Sequence, residues 1–242
     1  MIEYINNNKN NTILFLHGLG CASLYYDKLV NILDNKYNIV LFELSGHEIN
    51  SNLDFTIEDD AIKIKDFCIE KNIRIDIIVA HSISSVLTFL LDSIVQGIKK
   101  IFLLEGNIIE EDFEWSSNLS YMDPNEFESY WKKYVEQYPL ILKIKTKNQN
   151  NLKKYSENIT KLNSLGIYKY AKEIQIYKDK IETFNSSFSK LIYFESENSK
   201  LIEDKRVFLN KLGIPLMEVE NSSHYMMLDA SENIYSYIKK SV

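Results

Sequence analysis

Cysteine, proline and glycine are all scarce in this chain, and each shortage narrows what it can be. Two cysteines, Cys21 and Cys68, are too few for a disulfide framework and lack the spacing of a zinc site, so both read as free thiols. Three prolines and seven glycines among 242 residues belong to neither a collagen-like nor a low-complexity chain. With glycine so rare, motifs that ordinarily carry it must be sought with other small residues in its place. There is no basic excess either: the formal net charge of -6 argues against nucleic acid as a partner, because phosphate binding needs clustered Lys and Arg. Lys143, Lys145 and Lys147 do cluster, and read as a solvated basic helix edge. Long apolar runs are also missing. The richest stretch, 83–95, is interrupted by Ser, Thr and Asp, short of the roughly 18–20 apolar residues that cross a bilayer. Residues 1–11 are polar and Asn-rich, without the basic and apolar regions of a signal peptide, so a cytoplasmic location without membrane insertion is expected.

What is present is an ordinary globular composition, 45% hydrophobic and 26% charged, in a chain long enough for one α/β domain with an insertion. Short apolar runs at 12–16, 38–42, 76–80 and 100–104 read as buried strands. Stretches of helical spacing at 25–33, 57–71 and 82–97 alternate with them, the pattern of a parallel sheet covered on both faces. From about Phe113 to Phe188 the alternation stops and a helical, Tyr- and Lys-rich pattern takes over, with a helix start at Asp123-Pro124-Asn125-Glu126. Alternation resumes with strands at 190–194 and 215–219 and helices at 201–212 and 231–240. The expected organisation is a core of 1–112 and 189–242 interrupted by a helical lid, 113–188. The aromatic residues Trp115, Tyr121, Phe127, Tyr130, Trp131, Tyr134 and Tyr138 of that segment read first as packing between lid helices, with some left to line an apolar pocket.

The strand at 76–80 runs into Ala80-His81-Ser82-Ile83-Ser84 and then a helical apolar stretch, the strand, turn and helix context of a nucleophile elbow. A serine at such a turn is pushed above the sheet, and residues two before and two after it must be small; Ala80 and Ser84 meet that need. Taken alone, Ser82 also reads as a helix N-cap following a buried strand.

In this setting Leu16-His17-Gly18-Leu19-Gly20, after an earlier strand, resembles the oxyanion turn of the α/β-hydrolase family. Phe42-Glu43-Leu44-Ser45-Gly46-His47 is similar to the family's Asp-x-x-Gly-His segment, with Glu43 in place of Asp, which makes His47 a loop-stabilising residue. Asn221-Ser222-Ser223-His224-Tyr225 lies where the family carries its catalytic base. The resemblance implies an α/β-hydrolase fold, a mostly parallel sheet with helices on both faces and a helical lid. It implies Ser82 as nucleophile and His224 as general base, with the backbone N–H groups of Leu19 and Ile83 as the oxyanion hole. A serine hydroxyl needs such an imidazole, because it is a poor nucleophile until a base accepts its proton. His81 would flank the elbow and support packing. Cys21, just after the oxyanion turn, reads as filler or as a residue near the pocket mouth.

The acid of the triad has several candidates. In most of the family it follows the strand after the lid, where this chain reads Phe194-Glu195-Ser196-Glu197-Asn198-Ser199, with Asn198 at the expected acid. Some relatives place it at the end of the strand after the nucleophile helix, here Leu103-Leu104-Glu105-Gly106-Asn107, and Glu105 is the preferred residue. Glu197 and Asp112 stay open as alternatives. The implied activity is a serine hydrolase, a carboxylesterase acting on a small-molecule ester, with no cofactor and no metal. The same triad also serves carbon–carbon bond cleavage or thioester hydrolysis, and a non-catalytic ligand receptor of the same fold is the alternative from a different class. Haloalkane dehalogenation is disfavoured, since it needs a carboxylate where this chain has Ser82.

Overall fold

In a computed structural model describing residues 1–33, 35–150, 152–197, 199 and 202–240, seven strands form one sheet. In chain order the elements are β1 (Ile2–Ile5), β2 (Thr12–Leu16), α1 (Asp27–Leu33), β3 (Asn38–Phe42), α2 (Ile57–Lys71), β4 (Ile77–His81), α3 (Ser84–Ile94) and β5 (Lys100–Leu104). The helices α4 (Glu114–Tyr121), α5 (Pro124–Lys145), α6 (Leu152–Ile159), α7 (Ser164–Gln175) and α8 (Asn185–Phe188) follow without a strand among the described residues. The chain closes with β6 (Leu191–Ser196), α9 (Glu203–Lys211), β7 (Leu216–Val219), α10 (Met226–Asp229) and α11 (Ser231–Lys240). The sheet order is β1-β3-β2-β4-β5-β6-β7; β1 is antiparallel to β3 and every other pair is parallel.

The apolar runs become central strands because both of their faces are covered. β2, β3 and β4 are buried at every position, which is why they read as continuous rather than alternating hydrophobics. The edge strand β1 has no fully buried residue, and its four residues sit inside a segment that read only as polar. α2 starts where its sequence directs: Thr56 caps Asp59 N–H while the Asp59 carboxylate takes Thr56 N–H. α5 starts with Asp123 as cap and Pro124 in its first turn. α3, expected from Ser82 to Gly97, begins only at Ser84 and ends at Ile94, because Ser82 has φ of 55° and lies outside helical space.

The strand register sets up the site. β4 ends at His81 opposite Leu104, the last residue of β5, so Ser82 and Glu105 leave adjacent strands at the same sheet edge. Ser82 N–H donates to Leu104 O at 3.1 Å, Glu105 N–H to Phe194 O at 2.9 Å, and Asn107 N–H back to Ser82 O at 3.2 Å. Among the described residues six non-glycine positions have positive φ, and four are asparagines, which tolerate it; the other two are Ser82 (55°) and Glu105 (46°).

The inserted helices dock on the core at one very close point. Gly46, with φ of 78°, meets Gly166 of α7 backbone to backbone, and a Cβ on Gly166 would fall 1.9 Å from Gly46 O. Gly166→Ala should therefore push α7 off the loop after β3. We expect a destabilisation of about 2–3 kcal/mol by overpacking, read as a lowered midpoint in denaturant titration; an unchanged midpoint would show that this contact is loose.

Candidate active site

The turn after β4 is held by short polar side chains where glycines are usual in nucleophile elbows. Ser84 Oγ donates to His17 O, tying α3 to the turn after β2, and Ser85 Oγ donates to Asn107 O at 2.7 Å, tying it to the segment after β5. Gly18 packs directly against the elbow: a Cβ there would lie 2.7 Å from His81 Nδ1 and 3.2 Å from Ser82 Cβ. The N-cap reading of Ser82 does not hold, because the residue preceding α3 is Ile83 and no side chain caps that helix. Ser82 Oγ makes no hydrogen bond to the described residues.

The turn after β2 is fixed from behind by buried histidines. Gly20 N–H donates to His47 Nε2 at 3.2 Å, which makes His47 the loop-stabilising residue expected of it. Burial, with the charge of nearby His17, lowers the His47 pKa to about 3, so it stays a neutral acceptor. His17 Nε2 lies 2.9 Å from Glu43 Oε2, and Ser23 N–H donates to Glu43 Oε1 at 2.8 Å. Although burial alone would raise Glu43, the His17 charge and these hydrogen bonds hold its carboxyl at about 2. The sequence pattern singled out Glu43 but not this pairing with His17. Leu19 N–H and Ile83 N–H donate to no described backbone or side-chain acceptor, and both residues line the cavity above Ser82.

His224 reaches the same cavity from the loop after β7. Its carbonyl accepts from His81 Nε2 at 2.9 Å, and the two rings lie 4.5 Å apart. That bond puts the His81 proton on Nε2 and leaves its Nδ1 buried without a partner; burial and the neighbouring His224 keep His81 well below its ordinary pKa, hence neutral. Ser223 N–H and Oγ bind Asp229 at 3.0 and 2.6 Å, bracing the loop one residue before His224.

Glu105 binds this histidine. His224 Nδ1 lies 2.6 Å from Glu105 Oε2, while the other carboxylate oxygen accepts Ser196 N–H at 3.0 Å and Ser196 Oγ–H. Burial opposes ionisation of Glu105, but the His224 hydrogen bond and charge, with the two Ser196 donors, bring its pKa down to about 2. A proton donated from Nδ1 to the carboxylate leaves Nε2 with a free lone pair, and Nε2 has no partner among the described residues. The other acid candidates sit elsewhere. Glu197 is exposed and binds Lys147 Nζ at 2.7 Å and Asn221 N–H at 2.9 Å. Asp112 accepts Ile108 N–H and Ile109 N–H at 2.9 and 3.1 Å and pairs with Lys205. Asn198 lies outside the described residues.

A cavity of about 300 Å³ joins these groups: Ser82, His224, Glu105, Leu19 and Ile83 all line it, with Trp115 and Tyr134 from the inserted helices. Of the aromatic residues expected to pack, Phe127, Trp131 and Tyr138 are buried, whereas Tyr121 is 80% exposed and contradicts the reading of it as packing, because it falls at the outer end of α4. Cys21 also borders the cavity, and burial pushes its thiol up to about 12, so it carries no thiolate at neutral pH. Ser196, Lys145 and Lys205 were not singled out as site residues; the Ser196 signal was available, since it ends the strand next to Glu105. Among the described residues no group of three or more His, Cys, Asp or Glu is arranged to hold a metal ion, and no helix is long and apolar enough to cross a membrane.

With this geometry in hand, the solved structures similar to the chain decide its architecture. It resembles a carboxylesterase of the thaumarchaeon Nitrososphaera gargenis at TM-score 0.74 and 14% identity, covering 99% of this chain and 92% of the other. It resembles 1H-3-hydroxy-4-oxoquinoline 2,4-dioxygenase at TM-score 0.79 and 13% identity, covering 99% and 94%. A thermophilic esterase from Thermogutta terrifontis matches at TM-score 0.73 and 10% identity, over 100% and 93% of the two chains. The chain has the α/β-hydrolase fold. No protein-family model matches the sequence, and no curated protein does, so at these identities the likeness is one of architecture. Within this fold Glu105 stands at the end of β5, the strand after α3, and not at the end of β6, the strand after α8.

The Glu105 carboxylate supplies an acid-stability signature. Its folded pKa of about 2 lies below its ordinary value of 4.5, so its stabilisation is fully present above about pH 4.5 and is lost as pH falls toward 2. Glu105→Gln should lose stability less steeply than wild type across that window in denaturant titrations at stepped pH. Equal slopes would mean that the carboxylate is not held ionised by His224 and Ser196.

Proposed function

We propose that the protein is a serine hydrolase cleaving a carboxylic ester, or a closely related carbonyl compound, through an acyl-enzyme. The observation that carries the reading is the closed Glu105–His224 pair bordering one cavity with Ser82 and two undonated backbone amides. In the forward step Ser82 Oγ bonds to the substrate carbonyl carbon while its proton passes to His224 Nε2. The carbonyl oxygen becomes an oxyanion received by Leu19 N–H and Ile83 N–H. Collapse breaks the bond to the leaving oxygen, which takes the proton from His224. Water then gives a proton to His224 and attacks the acyl carbon, and collapse returns Ser82 Oγ–H and releases the acid. Glu105 remains ionised throughout, holding the Nδ1–H tautomer and facing the imidazolium charge. Residues 113–188 act as a lid over a core of 1–112 and 189–242, a reading supported by Trp115 and Tyr134 on the cavity wall. The esterases among the structural neighbours support an ester as the substrate.

A second reading is favoured by the missing Ser82–His224 hydrogen bond and by the quinoline dioxygenase among the neighbours. In that reading the His224–Glu105 pair takes a proton directly from the substrate, the resulting anion reacts with dioxygen as co-substrate before its bond is cleaved, and Ser82 only orients the substrate.

A fluorophosphonate probe should label wild type at Ser82 and fail to label Ser82→Ala. Ester turnover should fall by about 10⁶ in Ser82→Ala and by about 10⁴ in Glu105→Gln, each with an unchanged circular dichroism spectrum. Absent labelling of folded protein would overturn the hydrolase reading. Activity kept by Ser82→Ala but lost in His224→Ala would select the second.

A further inference from the structure

Lys145 borders the proposed catalytic cavity as a cation without a partner among the described residues. The other charged groups lining that cavity are already matched. Glu105 is occupied by His224 and both Ser196 donors. Asp112 is held by two backbone amides and by Lys205, whose Nζ also lies 3.3 Å from Tyr193 Oη. Burial keeps Tyr134 and Cys21 protonated and His81 neutral, so none of them supplies an anion. Lys145, the last residue of α5, has neither an ion pair nor a hydrogen bond among the described residues, and it is exposed toward solvent while lining the cavity.

Its placement is fixed relative to His224. The residues just after α5 bind Asp229: Lys147 N–H and Asn148 N–H each donate to Oδ1 at 3.0 Å, and Thr146 Oγ donates to the same oxygen. The other Asp229 oxygen holds Ser223, next to His224. One carboxylate thus locks the end of α5 to the loop of the proposed base. Lys147 itself is neutralised by Glu197 at 2.7 Å. The three-lysine edge is therefore not uniform: Lys147 is paired with Glu197, whereas Lys145, solvated as expected, also borders the cavity.

We propose that the substrates of this site carry a carboxylate, received by Lys145 as the specificity-determining residue. An ammonium at the rim of the cavity attracts such a group by its charge, and it is not neutralised in advance by a partner among the described residues. The substrate class is thus an acid-bearing ester, a hemiester of a dicarboxylic acid being the simplest form. This inference rests on the hydrolase reading for turnover but not for binding.

The test compares p-nitrophenyl hydrogen glutarate with neutral p-nitrophenyl pentanoate. Wild type should show the higher kcat/KM for the hemiester. Lys145→Gln should lower the hemiester-to-neutral ratio at least about fivefold, mainly through KM, and Lys145→Glu should lower it further. Lys143→Gln, the same charge change two residues away on the same helix end, should keep the ratio. A ratio unaltered by Lys145→Gln, or lowered equally by Lys143→Gln, would overturn the proposal. A binding arm separates this from failure of the hydrolase reading. Glutarate should raise the Tm of Ser82→Ala but not of Ser82→Ala combined with Lys145→Gln. If neither ester is turned over, that differential stabilisation alone upholds the anion site, and its absence overturns it.

Discussion

A carboxylate nearly buried at the end of a central strand must have its charge met, and in this molecule the partners that meet it define the site. Glu105 leaves β5 in left-handed backbone geometry, which among the described non-glycine residues only Ser82 and asparagines share with it. Its two oxygens are divided between His224 and Ser196, so the end of β6 and the loop after β7 are both referred to one side chain. The proposed nucleophile and acid therefore inherit their relative placement from the sheet register, and the braced loop after β7 brings the proposed base to them. Breaking the pair would leave a buried charge with half of its partners, a costly state.

Around that pair, the molecule ties each contributing loop to rigid structure with one short polar side chain. Ser84 holds the turn after β2, Ser85 the segment after β5, His47 the amide of Gly20, and Asp229 both the His224 loop and the end of α5. These bonds explain how the elbow dispenses with its usual glycines. Where a glycine would only make room, Ser84 is small enough to fit and adds a donor to His17 O. Of the glycines that remain, Gly18 against His81 and Ser82, and Gly166 against Gly46, occupy places of close approach.

Much of this was legible from the residues. Six strands announce themselves as apolar runs, and the order of the elbow, the oxyanion turn and the histidine loop already points to one sheet edge. β1 was hidden because an edge strand needs few apolar residues, and Ile2 and Tyr4 are lost among asparagines. The start of α3 was misplaced by two residues because a positive φ at Ser82 leaves no trace in hydrophobic periodicity. Glu105 could be named but not separated from Glu197 and Asp112 by sequence, since the choice depends on which carboxylate meets His224 in space. The partners of Asp112 and Glu197, Lys205 and Lys147, are distant in the chain and carry no local pattern. Tyr121 was misread because helical spacing identifies a face but not whether anything lies against it.

The central claim is that His224 donates its Nδ1 proton to an ionised Glu105. Proton nuclear magnetic resonance at low field measures it most directly, with the His224→Gln variant assigning the signal and separating it from the buried His17–Glu43 pair. The account predicts a slowly exchanging His224 Nδ1 proton, shifted far downfield of the amide region, that disappears in Glu105→Gln while the His17 signal persists. A His224 ring whose Nδ1 proton exchanges freely with water, or whose resonance is indifferent to Glu105→Gln, would contradict it.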